Sequence, residues 1–106
     1  MHDKNTWEII RGDTEEIRVH FQEYPPAKNG GTLRLTIRTQ ADMPKIISKS
    51  VTVSGQESVT IKLDPEETKD LGGWYVYDVE FTNSNGDVRT LVLGNIHARK
   101  DVSYGN

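Results

Sequence analysis

The chain has 106 residues, enough for one domain and one modest core. Its formal net charge of −3 argues against a nucleic-acid partner, which calls for a clustered basic face, and no apolar run reaches membrane length. It holds no cysteine, which excludes disulfides, thiolate nucleophiles and cysteine metal sites and fits folding in the reducing cytosol.

The opening stretch "MHDKNTWEII" shows no apolar h-region, so no signal peptide is expected. From there the chain alternates with period two. "TWEII" predicts a first short strand. Arg11-Gly12-Asp13-Thr14 follows, and then "EIRVHFQ" alternates with Ile17, Val19 and Phe21 on one face. "YPPAKNGG" reads as a loop because of its prolines and glycines. "TLRLTIRT" points Leu33, Leu35 and Ile37 inward, and "ADMP" breaks the pattern. "KIISKSVTV" aligns Ile47, Val51 and Val53, with Lys49 interrupting that face. "SGQE" is a turn, and "SVTIKL" aligns Val59, Ile61 and Leu63.

"DPEETKDLGG" is the one helical candidate, a short turn near 65–70. Asp64 caps it, Pro65 fits its first turn, and Gly72 or Gly73 ends it. "WYVYDVEFT" places Tyr75, Tyr77, Val79 and Phe81 on one face. In "NSNGD", Asn85-Gly86 signals a two-residue hairpin turn whose residues take positive φ. "VRTLVLGNIHA" closes the set, with a bulge expected at Gly94. About seven short strands separated by turns predict an all-β, immunoglobulin-like antiparallel sandwich. One domain spans 1–106, with its core over about 5–99 and a loose tail at 100–106. A tyrosine after a short turn suggests a corner bond from its hydroxyl, with Tyr75 and Tyr77 as candidates.

Chemistry-bearing residues are sparse. Of the histidines, His2 is terminal, while His20 and His97 fall at outward strand positions. No nucleophile elbow, zinc motif or phosphate loop is present, so no enzyme is expected. "NSNGD" is too short for a calcium loop, and no metal or cofactor is expected. Trp7 and Trp74, with Tyr24 and Tyr104, are candidates for an aromatic platform. Trp7, Trp74, Lys45 and Lys49 mark a candidate interaction surface, the two lysines also guarding an edge strand.

Arg11-Gly12-Asp13 matches the tripeptide that animal integrins read, but its setting between two strands makes it a connector. Gly12 takes backbone angles closed to other residues. The Asp13 carboxylate is expected to accept backbone amides, with Thr14 helping to close the turn. No integrin partner is expected.

Four segments in order carry a resemblance. They are Trp7 to Thr14 with the strand behind it, "IISKSVTV", "IKLDPEETKDLGGWYVYDVEFT" and "GDVRTLVLGNIHARKDVS". Together they resemble the small immunoglobulin-like domain of tailed-phage and prophage structural proteins. That family includes the N-terminal domain of baseplate upper proteins from phages of Gram-positive bacteria. "YPPAKNGGT" departs from the family's leucine-threonine-glycine step before the third strand. The resemblance implies an architectural "RGDT" and a virion tail, baseplate or fibre domain, assembled in the bacterial cytoplasm. Its partners would be other virion proteins or copies of itself. The alternative is a bacterial surface adhesion or carbohydrate-binding module acting through a tryptophan or through Arg11-Gly12-Asp13.

Overall fold

The computed structural model describes residues 6–21 and 29–99. The strands are β1 (Thr6–Ile10), β2 (Glu15–His20), β3 (Gly31–Arg38), β4 (Lys45–Val53), β5 (Ser58–Leu63), β6 (Gly73–Asn83) and β7 (Val88–Arg99), with helix α1 (Pro65–Thr68) between β5 and β6. A five-stranded sheet in the order β1-β7-β6-β3-β4 packs against the β2-β5 pair. The protein is an all-β sandwich. With β3, β6 and β7 in one sheet and β2 and β5 in the other, the strands divide as in immunoglobulin domains.

Alternation explains the core. Leu33, Leu35, Ile37, Val79, Phe81 and Ile96 of the large sheet meet Val19, Val59, Ile61 and Leu63 of the small one. Each such side chain contributes roughly 1.5–3 kcal/mol by leaving water. Phe21 and Phe81 touch across the layers with centroids 5.7 Å apart.

Three local expectations are corrected. The sandwich is not wholly antiparallel, because β1 runs parallel to β7, pairing Thr6 with Asn95 and Ile10 with Arg99. The chain enters β2 in the opposite sheet after β1, so β1 need not return alongside a hairpin partner. Second, the bulge in β7 is not at Gly94, which pairs in register with Tyr77. The register slips between Val79 and Glu80, whose partners are Val92 and Thr90. The extra residue is therefore Leu91, which turns a further apolar side chain toward the core. Third, only Gly86 of the hairpin takes positive φ, at +91°. Its amide donates to the Asn83 carbonyl at 3.0 Å, and the Asn83 amide donates to Asp87 at 2.9 Å. The Asn83 side chain also accepts the amides of Asn85 and Asp87. That is a three-residue loop with its glycine in the left-handed position, favoured because Asn83 satisfies the turn amides.

Lys49 lies on the core side of edge strand β4, opposite Leu35. An ammonium cannot stay among aliphatic groups, so it spans the open edge of the sandwich. Its Nζ donates to the Lys62 carbonyl of β5 at 2.9 Å and to Glu67 Oε1 of α1 at 3.0 Å. The same Glu67 oxygen accepts the Asp64 amide at 2.8 Å and so holds the start of α1. Burial alone raises the Glu67 carboxyl, but the Asp64 amide and Lys49 together hold it below its ordinary value. Lys49 is therefore engaged in this edge network, with its side chain only partly exposed. An inward-pointing lysine on an edge strand discourages another strand from adding there. The Lys49→Leu variant should fold with stability within about 1 kcal/mol of the parent. It should also self-associate as concentration rises, as read by sedimentation velocity. An unchanged monomer would count against the guarding role.

Candidate functional site

The Arg11–Thr14 turn carries β1 of one sheet into β2 of the other. Gly12 has a φ of +88°, an angle costing other L-residues about 1–2 kcal/mol. The Gly12 amide donates to Thr68 Oγ1 at 3.0 Å, and the Thr68 hydroxyl donates to the Asp13 carbonyl at 2.7 Å. Thr68 is fully buried, so α1 presents one hydroxyl that satisfies both main-chain groups. Asp13 takes part through its main chain, its amide donating to the Ile10 carbonyl at 3.1 Å. The carboxylate that closes the turn belongs to Glu15, which accepts the Ile10 amide at 2.9 Å. Asp13 and Thr14 point into solvent. The expected roles of their side chains therefore pass to Glu15 and Thr68. The Arg11 amide extends the β1-β7 ladder to the Arg99 carbonyl. Thr68 was out of reach of sequence reading, because it lies more than fifty residues from the turn it serves.

Tyr75 hydrogen-bonds back to the corner before β6. Its hydroxyl accepts the Gly72 amide at 2.8 Å and donates to the Gly72 carbonyl at 3.1 Å. Tyr77 is buried, which pushes its hydroxyl above the ordinary tyrosine value. Its ring meets Trp7 edge-on at 5.5 Å. Trp7 packs on the core and offers no outer platform, whereas Trp74 is 60% exposed. Lys45 is exposed at the start of β4. Tyr24, Tyr104, His2, most of "YPPAKNGG" and the 100–106 tail lie outside the described residues.

The outer face of the large sheet gathers most of the remaining chemistry. Across β1, β7 and β6, Glu8, His97 and Trp74 stand side by side. The imidazole stacks on the indole at 4.4 Å with planes 13° apart, and its Nδ1 lies 3.2 Å from Glu8 Oε2. One step along, Asn95, Val76 and Arg38 form the next row, followed by Leu93, Asp78 and Thr36. Between these rows and Ala41 lies a half-open groove of about 320 Å³. Arg38 Nε donates to the Met43 carbonyl at 3.2 Å, which ties the loop after β3 over one side of the groove. Burial raises the Asp78 carboxyl above its ordinary value, the neighbouring Glu80 adds to this, and Arg38 opposes it. Among the described residues, no cluster of three metal-ligating side chains occurs and no helix is long and apolar enough to cross a membrane.

No family model matches the chain, and no curated protein matches it.

Two measurements probe these groups. Thr68→Val keeps the shape but strands the Gly12 amide and the Asp13 carbonyl, and should cost about 1–3 kcal/mol in urea unfolding. Asp13→Ala removes an exposed carboxylate and should stay within about 0.5 kcal/mol; the reverse ranking would refute the hydroxyl bridge. For Asp78, a carboxyl with a raised native pKa stabilises the fold below its unfolded pKa. That contribution is lost as pH rises through the native pKa. Near neutral pH the charged Asp78 therefore weakens the fold. Asp78→Asn should raise Tm by about 2 °C in calorimetry at pH 7, with the gain shrinking as pH falls toward 4.

Proposed function

We propose that this chain is a non-enzymatic structural domain of a tailed-phage or prophage virion, built into a tail, baseplate or fibre. It works by packing against other virion proteins or further copies of itself. The observation that carries this reading is the combination of a guarded edge with an exposed apolar end. Lys49 discourages strand addition along β4, so association by side-chain packing is favoured. At the end of that strand, Met43 and Ile46 are both more than 40% exposed and flank Lys45. Apolar side chains beside a solvated charge suit the core and rim of a modest interface.

The four segments that carry the family resemblance cover most of the scaffold elements, β3 excepted. They fall on β1 with its turn, on β4, on β5 through α1 to β6, and on β7. Many copies in a symmetric particle let weak contacts act together, so the isolated domain need not associate tightly.

Multi-angle light scattering should therefore find the domain monomeric or weakly associating. A tight, salt-insensitive trimer would overturn the proposal. Gene neighbourhood gives an independent check: tail, capsid or lysis genes alongside support the virion role, and a metabolic operon overturns it.

A further inference from the structure

The groove on the outer sheet face and the Trp74–His97 pair one step beyond its lining have features that simple packing does not require. Trp74 and His97 are direct cross-strand neighbours whose rings stack nearly parallel. Two neighbours on adjacent strands stack in this way only if both rings stand upright on the sheet. The imidazole then covers the indole face turned to β7. The opposite indole face is turned to the β3 side of β6, and Trp74 is 60% exposed. On that side, one step along β6, lie Val76 and, across from it, Arg38. A second step leads to Asp78 and Thr36. Each step is about 7 Å.

We propose that this groove, together with the exposed Trp74 one step along β6 from its Val76, binds an oligosaccharide of at least two linked rings, one of which stacks on the indole. A pyranose carries an apolar C–H face and a rim of hydroxyls. The C–H face fits the exposed indole, where apolar contact and the π-cloud of the ring act together. The hydroxyls both donate and accept. They suit the carboxylate of Asp78, which accepts, the guanidinium of Arg38, which donates, and the amide of Asn95, which does both.

The distances set the ligand length. On the β3 side of Trp74 the first step leads to Arg38 and the second to Asp78 and Thr36, so spanning from the indole to that second row takes at least two rings, while Asn95 stands across Val76 on the β7 side. A volume of about 320 Å³ is at the small end for ligand sites, which fits a short stretch of a chain continuing across an open face.

Charge decides against a protein occupant at this spot. The centre of a protein interface is poor in charged groups, because a carboxylate or guanidinium left imperfectly paired there is costly. A hydroxyl-rich ligand satisfies both signs at once. The upward push on the Asp78 carboxyl fits a group retained despite its cost to the fold.

This inference does not rest on the virion role, and its test leaves that role untouched. The intact domain is titrated with maltotetraose, cellotetraose, chitotetraose and mannotetraose, following tryptophan fluorescence and amide NMR shifts. At least one should bind, with a dissociation constant of about 0.1–1 mM, and its monosaccharide should bind more weakly. Trp74→Ala, checked for folding by circular dichroism, should weaken binding by at least about tenfold. Asp78→Asn should also weaken it while raising Tm. The proposal is overturned if none of the four sugars saturates below about 10 mM, or if binding survives Trp74→Ala unchanged.

Discussion

The Thr68 hydroxyl is the contact on which the geometry of the sandwich turns. Two connections cross between the sheets at this end: the Arg11–Thr14 turn from β1 to β2, and α1 between β5 and β6. Each crossing takes main-chain groups out of a strand ladder, and a buried amide or carbonyl without a partner is costly. Thr68 answers this for both connections with one side chain, accepting from Gly12 and donating to Asp13. The turn can be short because α1 supplies the partner that a longer loop would have to find within itself. The helix, only four residues long, acts as a clamp and presents no extended face.

The same helix also organises the open edge. Glu67 holds the Asp64 amide and meets Lys49 reaching over from β4. One short segment thus connects the inter-sheet turn, the edge strand and, through Leu71, the core. Tyr75 fixes the exit of that segment by bonding Gly72. The elements that determine how the two sheets sit together are polar contacts at the rim, while apolar burial between the layers supplies most of the stability. On the opposite flank, β1 covers the edge of β7 by pairing parallel to it.

This network of polar contacts at one end contrasts with the outer face of the large sheet. There Trp74 and Leu93 are left exposed, and Asp78 is kept where burial and Glu80 disfavour its charge. A face chosen only for solubility would carry scattered charges and no upright indole. Cost to the fold concentrated in one place is the usual mark of a surface kept for contact.

The sequence by itself determined the strands, the inward apolar sets and the α1 segment, because period-two alternation and the Asp-Pro start are local signals. It also identified the first turn through Gly12, a residue whose requirement is purely local. Tertiary structure alone decided which groups complete that turn. Thr68 and Glu15 stand where Asp13 and Thr14 were expected, since hydrogen-bond partners are chosen by proximity in space. It decided as well that β1 runs parallel to β7, that Leu91 forms the bulge, and that Lys49, which alternation already placed on the inward face, finds Lys62 and Glu67 across the edge. The two tryptophans have the same local chemistry; strand register buries Trp7 against Tyr77 and lifts Trp74 onto His97. Register is a relation between strands far apart in the chain, and shifting it by one residue exchanges the faces, so no single strand encodes which indole meets solvent.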